Sequence, residues 1–174
     1  MKILNILFIA IAITIGSSAI AQPLKSGTTT TAEYKASIPG WLVNVQEANV
    51  ESAKTGKPIL ANFTGSDWCG WCKKLRREVF DTPEFKKWAK ENVVLLELDF
   101  PKRFQLPEDI RTQNASLQKA FGVRGYPTLW IFTLSNTDQG QMSINGYGSL
   151  GYQAGGPKAW TASADKIIAN GPKK

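Results

Sequence analysis

The chain has 174 residues, a formal net charge of +7, two cysteines and no histidine. The absence of histidine excludes imidazole-based general base catalysis, and two thiols alone supply no complete ligand set for a structural zinc. A basic excess of this size favours solubility and weak attraction to anionic surfaces; it does not by itself indicate nucleic acid, and no nucleic-acid partner is expected.

Met1 and Lys2 precede a mostly apolar run from Ile3 to Ile15, followed by Gly16-Ser17-Ser18 and the small-residue site Ala19-Ile20-Ala21. This is the layout of a cleaved secretory signal peptide over residues 1–21. The run is shorter than the ~20 residues that span a bilayer, so the mature protein is expected to be periplasmic or otherwise exported and not membrane-spanning. What remains is enough for one domain with a real core. Residues 22–39 are polar, include the threonine run Thr28 to Thr31, and read as a lead-in or linker without chemistry of its own. The folded domain is placed at 40–174.

From Trp41 to Thr55 the apolar positions Trp41, Val45, Ala48 and Ala53 suit a helix that stops at Gly56. Ile59 to Phe63 has strand length, and Thr64-Gly65-Ser66-Asp67 breaks it. A helix is predicted over Cys69 to Phe80, with Leu75, Val79 and Phe80 inward and the cluster Lys73, Lys74, Arg76, Arg77 on a solvated face. Thr82-Pro83 restarts a helix as N-cap and N1, with Phe85, Trp88 and Ala89 as its apolar stripe. Val93 to Phe100 reads as a strand with Glu97 and Asp99 as polar intrusions. A loop spans Pro101 to Pro107, and Glu108 to Phe121 is helical. Thr128 to Leu134 is a strand, Gln141 to Tyr147 its hairpin partner, and Pro157 to Asn170 a closing helix. Gly148 to Gly156, with four glycines, reads as a long flexible connection. Alternating strands and helices ending in a hairpin and a helix imply an α/β sandwich around a mixed sheet.

Both cysteines lie in Trp68-Cys69-Gly70-Trp71-Cys72. A ring this short adds only about 2 kcal/mol by loop closure, against about 4.7 for a 100-residue loop. Redox chemistry is therefore a better reason for the pair than stapling. Positions i and i+3 in a first helical turn share a face at roughly 5–6 Å, which suits a reversible disulfide.

The succession of helix, apolar strand, Trp-Cys-x-x-Cys-Lys, strand ending in Asp, and Gly122-Val123-Arg124-Gly125-Tyr126-Pro127-Thr128-Leu129 resembles thioredoxin. Phe63 to Lys73 in particular resembles exported bacterial thioredoxin-like proteins related to the soluble domains of Dsb-type reductases. The resemblance covers about Trp41 to Asn170. It implies a three-layer sandwich, a central mixed sheet flanked by helices, and a thiol–disulfide oxidoreductase needing no cofactor and no metal. Cys69, at a helix N-terminus that stabilises a thiolate, is the expected attacker and is expected to be exposed. Cys72 is the expected buried resolving thiol. By the same resemblance Trp68 packs beside the disulfide, Pro127 is a cis-proline facing it, and Tyr126 lies beside an extended substrate. Gly70 is a neutral neighbour, and Trp71, exposed between the cysteines, is a partner contact.

The chain departs from thioredoxin at Asn62, where many thioredoxins bury an acid beneath the resolving cysteine. Deprotonation of Cys72 then falls to water, Asp67 or Glu97, and a buried, unpaired Glu97 would have the raised pKa that suits the task. Asp99 is expected to cap a loop.

The expected partners are proteins bearing disulfides or thiols and a membrane-bound or other upstream reductase. The leading reading is a reductase or isomerase of envelope proteins. Its rivals are a disulfide-inserting oxidant, a non-catalytic binding or chaperone module, and metal delivery, which the lack of further soft ligands disfavours.

Overall fold

The computed structural model describes residues 34–136 and 142–172. The leader expected over residues 1–21, and the lead-in as far as residue 33, lie outside the described residues.

Ile59–Thr64 forms β1, buried along its whole length, which explains the unbroken apolar run of its sequence. It pairs in parallel with β2, Val94–Asp99, and antiparallel with β3, Thr128–Asn136. β4, Met142–Leu150, pairs antiparallel with β3 and completes the order β2-β1-β3-β4.

Alternate residues of β1 feed two cores. Ile59, Ala61 and Phe63 join Val45 and Ala48 of α1 (Val45–Thr55), with Leu117 of α4 (Glu108–Ala120) packed against them. Leu60 joins the opposite core with Leu75 of α2 (Gly70–Leu75), Phe85 and Ala89 of α3 (Pro83–Asn92) and Trp160 of α5 (Gly156–Ile168). Helices therefore cover both faces of a mixed sheet, the three-layer α/β sandwich of a thioredoxin fold. Trp160, fully buried, meets Phe80 and Phe85 edge-on with ring centroids 5.7 Å apart, and its Nε1 donates to the Gly151 carbonyl at 3.1 Å.

Four expected boundaries move. α1 begins at Val45, because Asn44 caps it by accepting the Gln46 and Glu47 N–H groups. The residues before it run alongside β2, where Leu42 donates to the Leu95 carbonyl at 2.9 Å and accepts from Glu97 at 2.8 Å. The helix predicted over Cys69 to Phe80 is α2 followed by a π turn over Arg76–Phe80, which brings the adjacent Val79 and Phe80 into the core together. β4 continues to Leu150 with a register shift opposite Ile131 and Phe132, so part of the connection expected over Gly148 to Gly156 is strand. The polar lead-in is packed at its end: Ile38 is only 4% exposed and sits in the α2–α3–α5 core, with Ala36 against it. The folded structure thus includes residues ahead of position 40.

Candidate active site

The loop after β1 is held from below by Asp99, the last residue of β2. Its carboxylate accepts the Ser66 N–H at 2.8 Å and the Ser66 hydroxyl at 2.6 Å, and also the Phe100 N–H. Burial raises its pKa against the pull of these bonds. Asp67 faces the other way and accepts the Lys102 and Arg103 N–H groups, the latter at 2.6 Å. Desolvation there acts upward but is outweighed by these backbone bonds and the Arg103 charge, so its pKa is lowered. Asp67 is thus a stable anion tied to the loop after β2.

Gly65 accepts the Cys69 N–H at 2.8 Å and lies under the Trp68 indole, where a Cβ would come within 2.5 Å of the ring. Trp68 donates to the Phe100 carbonyl at 2.8 Å and meets Tyr126 edge-on at 5.8 Å. The Tyr126–Pro127 peptide bond is cis. The Tyr126 ring stacks on Phe100 at 5.2 Å and its hydroxyl bonds Gln118, so the side chain is committed to packing. Trp68 and Tyr126 thereby join the cysteine loop to the cis-proline loop.

Cys69 is the N-cap of α2 and is closed in a disulfide with Cys72, with Cα atoms 5.3 Å apart. Its sulfur turns back to accept the Cys72 N–H at 3.2 Å. Both residues are covered in this form, 5% and 6% exposed, so the expected contrast between an exposed and a buried cysteine is absent: capping draws Cys69 inward. Gly70 is open to solvent. Trp71 is 58% exposed and tilts onto Tyr152 at 5.1 Å.

On the sheet face below α2, Asn62 pairs in register with Glu97 and Thr64 with Asp99. A cavity of about 40 Å³ opens there, lined by Ser37, Asn62, Thr64, Ser66, Cys72 and two cationic stems. The buried Asn62 Oδ1 has no partner. Glu97 is buried and it is paired: its oxygens accept the Ser37 N–H at 2.6 Å and the Ser37 hydroxyl at 2.8 Å. Burial raises its pKa, and the neighbouring Asp99 adds to the rise while the Ser37 bonds oppose it. Burial, with the charges of Asp99 and Glu97, also pushes the Tyr34 phenol up. Sequence reasoning missed Ser37 and Tyr34 because both lie in a polar stretch; the signal was Ile38, an apolar residue three positions before Trp41. Among the described residues, no cluster of three or more Cys, Asp or Glu side chains is arranged to hold a metal ion.

Fold and site together define a thioredoxin-like protein, and residues 45–149 match the family model of the thioredoxin-like domain. The chain belongs to that family. Over 106 residues it is 34% identical to the disulfide bond reductase DsbH of Chlamydia pneumoniae, covering 61% of this chain and 64% of that protein. Over 109 residues it is 34% identical to the thioredoxin-related protein DsbJ of the same organism, covering 63% of this chain and 31% of that protein. The matches thus span less than two thirds of either relative. The solved structure of the DsbH oxidoreductase matches with a TM-score of 0.63 at 28% identity, over 78% of this chain and 92% of that one.

Proposed function

We propose that the chain is an exported thiol–disulfide oxidoreductase that reduces or isomerises disulfides of envelope proteins. The observation that carries this reading is the Cys69–Cys72 pair at the start of α2, with the Cys69 sulfur already accepting a helix N–H. That bond favours the thiolate over the thiol at Cys69 once the pair is reduced. Similarity to a protein named as a disulfide bond reductase supports the reducing direction. The apolar run before residue 21 supports export, and among the described residues no helix is long and apolar enough to cross a membrane.

In the reduced form the Cys69 thiolate attacks one sulfur of the partner's disulfide. The partner's S–S bond breaks, a mixed disulfide forms, and the partner's other sulfur leaves as a thiolate that takes up a proton. Cys72 then loses its proton and attacks the Cys69 sulfur, which frees the second partner thiol and restores the disulfide. Two electrons pass from the pair to the partner, and an upstream dithiol reductase returns them with two protons. Proteins bearing disulfides or thiols are thus the substrates.

The Cys72 proton leaves through the cavity beneath α2. A cavity of about 40 Å³ with Ser37, Asn62, Thr64 and Ser66 in its walls has room for a water and partners to hold it. Asn62 supplies an acceptor but cannot hold the proton, whereas Ser37 lines the same cavity and donates to Glu97. Glu97, with its raised pKa, is the acid that exchanges protons with Cys72 through Ser37. Asp67 is left out of this path because its carboxylate faces the loop after β2.

Equilibration of the pair against glutathione, together with turnover of insulin disulfides under supplied dithiothreitol, tests the reading. Catalysed turnover and a potential near that of thioredoxin are expected. A strongly oxidising potential contradicts the direction, and absence of turnover contradicts the activity.

A further inference from the structure

The connection between β4 and α5 carries Tyr152 onto Trp71, next to the disulfide. Tyr152 is held there, since its hydroxyl donates to Glu78 Oε2 at 2.8 Å and its loop is fixed by the bond between Trp160 and the Gly151 carbonyl. The two rings form a shelf. Lys74 lies over both, with Nζ 5.1 Å from the Trp71 centroid and 4.9 Å from that of Tyr152. Over Trp68, the residue before Cys69, Lys102 Nζ stands 4.0 Å from the ring centroid.

A cation over a ring is positioned but not neutralised. Among the described residues neither Lys74 nor Lys102 has an ion-pair partner, and the neighbouring acids are engaged. Asp67 is tied to backbone N–H groups, Glu78 to Tyr152, and Asp81 to Arg76. Asp67 stays an anion beside Lys102, but the stretches next to the disulfide also carry Lys73, Lys74, Arg76, Arg77, Lys102 and Arg103, so cations outnumber acids around the exposed aromatic surface, with Lys74 and Lys102 placed over its rings. The disulfide beside this surface exchanges with thiols and disulfides, which favours a cysteine-bearing polypeptide as its occupant over a lipid or a nucleic acid.

We infer that Trp71, Tyr152, Lys74 and Lys102 form a docking surface for acidic polypeptide segments, the shelf seating an apolar side chain next to the partner's cysteine and the lysines meeting flanking carboxylates. This rests on the redox reading above and deepens it by assigning the substrate class. Charge complementarity of this kind selects partners and raises encounter rates more than it adds affinity.

The test uses two synthetic peptides with one internal disulfide each, identical except that the residues flanking the cysteines are Glu in one and Lys in the other. Reduction by the protein under supplied dithiothreitol is followed at about 20 mM and about 0.5 M salt. The Glu peptide is expected to have a kcat/KM about fivefold higher at low salt, mostly through KM, and the ratio to approach one at high salt. The double variant K74E/K102E is expected to invert the preference. Each preference is a ratio within one protein, so a variant with fewer folded molecules still reports it. Equal rates, a Lys preference in the wild type, or a preference indifferent to salt overturns the docking surface. Turnover of neither peptide nor of the neutral hydroxyethyl disulfide overturns the redox reading itself.

Discussion

Replacing Ser37 by alanine removes the hydroxyl bond of 2.8 Å to Glu97 and leaves the Ser37 backbone bond of 2.6 Å. A bond to an ionised group contributes about 1.5–3 kcal/mol and one between neutral groups about 0.5–1.5. Ser37 itself is exposed, so the lower end of each range applies. The Glu97 pKa is raised by burial. The stability it contributes is therefore fully present below the ordinary carboxylate pKa of about 4.3 and is lost as pH rises through its folded value. Ser37→Ala removes a bond that lowers the pKa, so the variant loses more over the same rise. The stability gap between wild type and variant should be about 0.5 kcal/mol near pH 4 and grow to about 1.5 kcal/mol near pH 8. Urea denaturation of the oxidised proteins at several pH values measures it, and the contribution of Asp99, common to both, cancels in the difference. A gap that stays constant with pH, or narrows, refutes the assignment of Glu97 as a buried acid held by Ser37.

Gly65→Ala places a methyl group within 2.5 Å of the Trp68 indole. It should cost about 1–3 kcal/mol and change the tryptophan emission as the ring is displaced, both read in one fluorescence-monitored unfolding curve. Trp160→Ala empties the centre of the α3–α5 aromatic cluster and should cost about 3–5 kcal/mol, seen as a lower denaturation midpoint. Asn62→Asp sets a second carboxyl beside Glu97 in register with no new donor to meet it. Its stability should fall relative to wild type as pH rises, by about 1–3 kcal/mol near pH 8, in denaturant curves at two pH values.

The fold was legible because each core strand carries its signal locally. Ile59 to Phe63 is apolar without a break because both faces are covered, and Thr82-Pro83 announces α3 by cap chemistry. The cysteine pair and the cis-proline were legible through a family pattern; spacing alone would have left Tyr126-Pro127 an ordinary turn. The surroundings of the pair were not. Ser37 and Glu97 lie 60 positions apart and meet because the segment around Ser37 and Leu42 comes back to the open edge of β2, where Leu42 bridges Leu96. Tyr152 reaches Trp71 because β4 ends three residues later, at Leu150, than its glycines suggested. The inward turn of Cys69 follows from a side chain capping its own helix, a local competition that sequence does not reveal.

The asymmetric roles of the two cysteines are tested most directly by Cys72→Ser and Cys69→Ser proteins, incubated with envelope extract and analysed by mass spectrometry of the linked peptides. Cys72→Ser should accumulate mixed disulfides joined through Cys69, while Cys69→Ser should accumulate none above background. Equal trapping on both cysteines, or no trapping on Cys69 while the wild type turns over substrate, contradicts the mechanism.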